Sequence, residues 1–185
     1  MLIVTVNLIF IGHLGDASKV ASCGLGNMII FIFGNAAFIG MNSGMETLVS
    51  QAYGAGNLAL CGETYQRGRV VVMIYWFPLA VIFLLQGSFL TLLKQQQNVI
   101  DQTSHYLICM MPAAFLYGLN DLQNKFIIQM GKSSLILSTL SMALILHIFS
   151  NHYFVNVYNM DMSGCAFATC ITYGFIFTVN RWKLL

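Results

Sequence analysis

Long apolar stretches separated by short polar breaks run along the whole chain of 185 residues. A helix that spans a membrane needs about 20 apolar residues, and most of these stretches reach that length. The pattern predicts helices over residues 21–53, 68–93, 105–130, 135–157 and 163–182, preceded by a shorter one over 1–14. We therefore expect an all-α membrane fold, a six-helix transmembrane bundle with short loops and no soluble domain.

The first of these stretches is too short to cross a bilayer. It breaks after about 13 residues at Gly12-His13-Leu14-Gly15-Asp16, where a span needs about 20. A signal peptide would carry a basic start and a small-residue cleavage site, and neither is visible. We expect a helix without its first half, whether by truncation, an error in the gene model or real gene shortening.

The second predicted helix carries a polar face. At 100° per residue, Asn35, Asn42 and Glu46 lie within about 40° of one another. A carboxylate against hydrocarbon costs roughly 2.5–3.5 kcal/mol, so Glu46 should face protein or a water-filled cavity. The alternative is that Glu46 lies near the cytoplasmic end and reaches interfacial water. Small residues four apart on another face suit close helix packing: they are Ala36, Gly40 and Gly44.

Composition and charge agree with a membrane protein. Hydrophobic residues make up 58% of the chain and charged residues 8%, against about 25% charged in soluble domains. A net charge of +2 without a basic run gives no nucleic-acid surface. Basic residues follow the second, fourth and sixth helices, which predicts that these ends are cytoplasmic: they are Arg67, Arg69, Lys125, Lys132, Arg181 and Lys183.

The chain shows no pattern typical of catalysis or metal binding. His147 and His152 point about 140° apart on a helix, so they do not share a face. The five cysteines have no CxxC spacing, and no phosphate-binding loop appears. We predict no enzyme activity, no metal and no cofactor, with an ion gradient as the driver of any transport. Polar residues within the helices either line a cavity or bind helices together.

One segment resembles a known family. The run Leu48–Asn57, followed by Tyr65-Gln66-Arg67, is similar to the multidrug and toxic compound extrusion (MATE) family in its eukaryotic branch. Ile9–Gly15 looks like the end of that family's first helix, Met111-Pro112 like its fourth-helix proline, and Gly164–Thr169 like the start of its sixth helix. The similarity covers residues 1–185 as the N-terminal lobe of a transporter with twelve helices in two lobes.

The resemblance implies an antiporter, driven by H⁺ or Na⁺, that exports organic cations and other xenobiotics from a cavity between two lobes. Asn7 stands where many bacterial members have an aspartate, which disfavours proton coupling through this lobe. The cavity candidates are Asn7, Asn35, Asn42, Glu46 and Asn120. The family signature, expected to shape the cytoplasmic turn, comprises Gln51, Ala52, Tyr53, Gly54, Gln66 and Arg67.

The resemblance also defines the expected partners. They are the lipid bilayer of a plasma or vacuolar membrane, small organic cations, and a second six-helix lobe or a second copy of the chain. Acidic residues that eukaryotic members use for binding lie largely in the other lobe and have no counterpart here. The alternative is a membrane fragment that does not transport, or a half-transporter that must pair with a second lobe.

Overall fold

The computed structural model describes residues 2–184, and they form a bundle of helices. Four of these helices are long and apolar enough to cross a membrane. The predicted all-α membrane fold is confirmed. The helices are α1 (Leu2–Gly12), α2 (Ala17–Gly54), α3 (Leu58–Leu92), α4 (Gln97–Gln129), α5 (Ser133–Val157) and α6 (Asp161–Leu184).

The helix α4 lies at the centre of the bundle. It packs against α2, α3 and α6, so most of its length contacts protein. Because α4 is surrounded by protein, it can carry polar residues that would be unfavourable against lipid. Thr103, Asn120 and Gln123 are buried examples. The longest apolar runs belong instead to the peripheral helices, whose outer faces expose large hydrophobic side chains.

The helices α2 to α6 all begin earlier than their hydropathy predicts, and the difference is largest for α3 and α4. α3 starts at Leu58 rather than 68, because Asn57 caps it by accepting a hydrogen bond from the Leu60 amide at 3.0 Å. α4 starts at Gln97 rather than 105. The predicted starts were wrong because hydropathy marks the apolar part of a helix, and both helices continue through polar residues beyond it.

Two helices change their winding along their length. α2 is π-helical over Ile30–Asn35, and α5 ends in a second π-helical segment over His152–Val157. Both remain continuous helices through these segments. A π-helical turn changes which side chains face a neighbour, and such turns are frequent at functional sites.

The small-residue face predicted on α2 does not pack inside this bundle. A Cβ atom added at Gly40 or Gly44 would meet no atom within 4 Å. Close packing occurs at other glycines: a Cβ at Gly118 of α4 would lie 2.7 Å from the ring of Phe38 on α2. α2 therefore packs closely against α4 through the face that carries Phe38. The face that carries Gly40 and Gly44 makes no such contact within the described chain.

Candidate functional site

A cavity of about 640 Å³ opens between α1, α2, α4 and α6. Its volume lies within the roughly 300–1,000 Å³ range of small-molecule sites. The wall is largely apolar, with amides from Asn7, Asn27 and Asn35 and a hydroxyl from Thr169. An apolar wall with a few polar groups suits an amphipathic guest.

The π-helical segment of α2 forms one wall of this cavity. Ile30, Phe31, Ile32 and Asn35 all lie in the lining. The Tyr75 hydroxyl on α3 donates a hydrogen bond to the Phe33 carbonyl oxygen at 2.7 Å. This bond links the π-helical segment to α3. The half-buried Asn35 side chain makes no hydrogen bond within residues 2–184, so its amide is available to a guest.

Two aromatic rings lie in the opposite wall. Tyr117 of α4 and Tyr173 of α6 have ring centroids 5.8 Å apart, with their planes at 57°. An aromatic face attracts a cation within about 6 Å, so the pair can contact an organic cation favourably. Asn120 does not line the cavity, contrary to its candidacy. Asn120 is buried, and its side-chain amide donates to the Tyr173 carbonyl oxygen at 2.9 Å.

Asn7 connects the cavity to a buried polar cluster. Its side-chain nitrogen donates to the Thr169 hydroxyl at 2.9 Å, and its side-chain oxygen Oδ1 lies 3.0 Å from Nε2 of His147. Asn7, Thr169 and His147 are almost wholly buried. Sequence reasoning missed His147, because comparison with His152 on one helix gave no hint of partners on α1 and α6.

Asn42 and Glu46 lie outside the main cavity, in a charged cluster between α2 and α4. Asn42 donates to the Asp121 carboxylate at 2.8 Å, and Glu46 accepts from Gln129 at 2.9 Å. The Lys125 ammonium lies 3.5 Å from Glu46 and 4.0 Å from Asp121. The residues of the predicted polar face of α2 therefore have different surroundings. In the described chain, side chains of α4 bind Asn42 and Glu46, but they do not bind Asn35.

Four of the signature residues, Gln51 to Gly54, end α2 before the turn. Three backbone hydrogen bonds of 3.0 Å close the turn. The Ala55 amide donates to the Gln51 carbonyl oxygen, the Gly56 amide to that of Tyr53, and the Asn57 amide to that of Ala52. Gly56 takes a φ of +73°, which an L side chain rarely adopts, whereas Gly54 remains within the helix. In α3, Gln66 accepts from Arg69 at 3.0 Å and Arg67 pairs with Glu63.

Comparison with known proteins places this arrangement in a family. A family model described as MatE matches residues 1–152, which is most of the chain. The chain belongs to the MatE family. It is therefore a multi-pass membrane protein of a family whose named members are transporters.

Curated MatE relatives agree with this assignment. Multidrug and toxin extrusion protein 1 of Rattus norvegicus is 29% identical over 191 residues, covering 100% of this chain and 33% of the relative. The Xenopus tropicalis protein of the same name is 37% identical over 132 residues, covering 69% of this chain and 23% of that relative. Protein DETOXIFICATION 34 of Arabidopsis thaliana is 27% identical over 176 residues, covering 95% and 31%. The chain spans about a third of the length of these relatives.

Solved MatE structures share the fold. The eukaryotic MATE transporter AtDTX14 superposes with a TM-score of 0.93 at 23% identity, over 98% of this chain and 40% of that one. A multidrug resistance MATE transporter in an inward-facing conformation gives a TM-score of 0.90 at 14% identity. The match covers 100% of this chain and 42% of that transporter. The six helices thus have the fold of a part of these transporters. The roles of Asn7, Asn35, Asn42, Glu46, Asn120 and the signature residues in binding stay predictions.

Proposed function

We propose that this chain is one lobe of a cation-coupled antiporter, driven by H⁺ or Na⁺, that exports organic cations and other xenobiotics. The cavity carries the proposal, because its apolar wall, the Asn35 amide and the Tyr117 and Tyr173 rings suit an amphipathic cation. Family membership supports transport rather than catalysis. We place the chain in the plasma membrane or the vacuolar membrane.

We propose further that a second six-helix lobe, or a second copy of this chain, completes the cavity. Side chains at its edge support this: Met28, Phe31 and Ile32 of α2 are 59%, 47% and 54% exposed, although they line the cavity. An opposing bundle would cover these side chains and enclose a guest between the two halves. A lobe without such a partner would not transport, which is the alternative function.

Flux in proteoliposomes tests the antiport. The full-length gene product is reconstituted, a pH or Na⁺ gradient is imposed, and uptake of a fluorescent organic cation is recorded. We expect flux that requires a gradient and is abolished when the gradient is dissipated. Absence of gradient-dependent flux with either ion contradicts the proposal.

A variant pair links the flux to the cavity. Asn35→Leu removes the amide that faces the cavity, and we expect the apparent affinity for the cation to fall roughly threefold to tenfold, as for one lost hydrogen bond. Asn156→Leu is the matched control, because Asn156 is exposed at the end of α5 away from the cavity. Equal effects of the two substitutions would remove the cavity from the mechanism.

The requirement for an opposing bundle is tested by assembly. The 185-residue chain is cross-linked in liposomes at low protein density, alone and together with a separate six-helix lobe. We expect the chain to form a pair in at least one case, and flux to follow the appearance of that pair. Flux from a strict monomer of this chain would contradict the two-lobe arrangement.

A further inference from the structure

His147 lies in the centre of the polar cluster next to the cavity. The side chain is 0% exposed on α5, and its ring contacts groups of α1 and α6. A fully buried imidazole normally serves to join helices by fixed hydrogen bonds. The hydrogen bonds here are unusual, because they provide partners for two charge states of the ring.

The hydrogen-bond network favours a proton on the Nδ1 atom of His147. It lies 2.9 Å from the Thr172 hydroxyl, and that hydroxyl donates its own proton to the Ala168 carbonyl oxygen at 2.7 Å. With its proton directed to Ala168, the hydroxyl oxygen accepts from the ring. The protonation of Nδ1 follows from the direction of these two bonds.

The Nε2 atom faces one donor and two acceptors. The Asn151 amide nitrogen lies 3.0 Å away and the Ile3 carbonyl oxygen 3.2 Å away. The third group is the Asn7 side-chain oxygen at 3.0 Å. Asn7 is held in this orientation because its nitrogen donates to Thr169, whose hydroxyl proton goes to the Cys165 carbonyl oxygen.

These contacts give Nε2 a partner with or without a proton. In the neutral ring, the Nε2 lone pair accepts from Asn151. When a proton binds to that lone pair, the new N–H donates to the Asn7 oxygen, and Asn151 retains its bond to the His147 carbonyl oxygen at 3.0 Å. Proton binding thus exchanges the Asn151 bond to Nε2 for a bond to the Asn7 side-chain oxygen, which has no donor from Nε2 in the neutral state.

We propose that His147 is a proton-binding site of this lobe, reached from the cavity through Asn7 and Thr169. Both of these residues line the cavity and contact each other, so the site is one residue away from a guest. The link to transport depends on the antiport proposed above. The binding of a proton does not, since it follows from the cluster alone.

The surroundings of His147 define what the proton does. Cys165 of α6 is the titratable neighbour in the cluster; its thiol donates weakly to the Asn7 carbonyl oxygen at 4.0 Å. The hydrogen-bond partners of the ring on α1, α5 and α6 are uncharged: Ile3, Asn7, Asn151 and Thr172. The proton therefore adds an uncompensated positive charge beside the cavity. That charge disfavours a cation in the cavity, so proton and organic cation bind in exchange for each other.

Nuclear magnetic resonance of the imidazole nitrogens tests proton binding directly. The protein is labelled with ¹⁵N-histidine in lipid nanodiscs, and its four histidines are assigned by single substitutions. Because burial disfavours the charged ring, we expect the His147 Nε2 signal to move to the protonated position towards the acidic end of the range between pH 5 and 8 in which histidine ordinarily changes its charge. An Nε2 signal that stays constant from pH 8 to pH 5 overturns the proposal.

Binding of tetraphenylphosphonium tests the exchange. We expect its affinity to fall about tenfold from pH 8 to pH 5 in the native protein, equivalent to about 1.4 kcal/mol of repulsion. His147→Gln should remove this pH dependence, while His152→Gln, at an exposed position on the same helix, should retain it. A pH dependence that survives in His147→Gln overturns the exchange. If tetraphenylphosphonium does not bind at any pH, the proposed function fails while the resonance measurement still decides proton binding.

Discussion

Lys125 of α4 donates a hydrogen bond to the Ile39 carbonyl oxygen of α2 at 2.9 Å. Ile39 lines the cavity, so the bond fixes the cavity wall to the central helix. The same ammonium donates to the Ser43 hydroxyl at 2.7 Å and lies between the carboxylates of Glu46 and Asp121. One cation thus neutralises part of two acidic groups and binds two helices together.

Replacement of Lys125 by methionine should destabilise the bundle. The substitution keeps the length of the side chain but leaves Glu46 and Asp121 without their shared cation. The Lys125 side chain is 13% exposed and Asp121 is 18% exposed, so water compensates only in part. We expect a loss of about 1–3 kcal/mol in the free energy of unfolding, the usual cost of an unsatisfied charged group.

Unfolding in mixed detergent micelles, followed by circular dichroism, measures this loss. Lys132→Met is the control, because Lys132 is exposed just beyond the end of α4. The control should change stability by less than about 0.5 kcal/mol, as for ordinary surface substitutions. If both variants unfold like the native protein, Lys125 does not join α2 to α4.

Gly118→Ala should destabilise the packing of α4 against α2. The new methyl group would lie 2.7 Å from the ring of Phe38, and that ring packs edge-on against Tyr75 with centroids 5.3 Å apart. Phe38 is fully buried, so a shift of its ring would displace neighbouring side chains. Overpacking of this kind costs about 1–3 kcal/mol, which exceeds the gain of up to about 1 kcal/mol that alanine brings to a helix.

Gly40→Ala gives the matched comparison within α2. A Cβ at Gly40 meets nothing within 4 Å in the described chain, so the variant keeps only the helical preference of alanine. We expect a lower unfolding temperature for Gly118→Ala and an equal or higher one for Gly40→Ala. The reverse order would show that α2 packs on α4 through its other face.

The fold was largely predictable because lipid imposes a simple rule on sequence. Long apolar stretches indicated the peripheral helices, including α5 and α6, without any knowledge of their contacts. The rule fails where a helix leaves the lipid. The start of α3 could have been found from Asn57, a common capping residue, whereas nothing comparable precedes the start of α4 at Gln97.

The site was less predictable, because it depends on contacts between distant parts of the chain. Helical periodicity placed Asn35, Asn42 and Glu46 on one face, but it could not show that α4 supplies partners to the last two. His147 was missed for the same reason. Its partner Asn7 is 140 residues away, and no local pattern connects them.

The orientation in the membrane gives a prediction that does not depend on transport. With all five cysteines replaced by alanine, Ser133→Cys should react with an impermeant maleimide only from the cytoplasmic side, and Gln96→Cys only from the opposite side. Both positions are exposed at helix ends. Labelling of intact cells against opened cells distinguishes the sides. The opposite result would invert the topology that the basic residues predict.

Asn120 provides the last test, through the backbone that supports Tyr173. Its Nδ2 donates to the Tyr173 carbonyl oxygen at 2.9 Å, while its Oδ1 has no partner in the described chain. Asn120→Ala removes one hydrogen bond and one unsatisfied acceptor together, so the loss should be only about 0.5–1.5 kcal/mol. Asn120→Asp keeps the shape but places carboxylate oxygen against the carbonyl, at a site that is 4% exposed. We expect the aspartate variant to be less stable than the alanine variant at pH 8 and to recover at pH 5, where its carboxyl group regains a proton to donate. Unfolding at the two pH values measures the difference, and an aspartate variant as stable as alanine at pH 8 would contradict the bond.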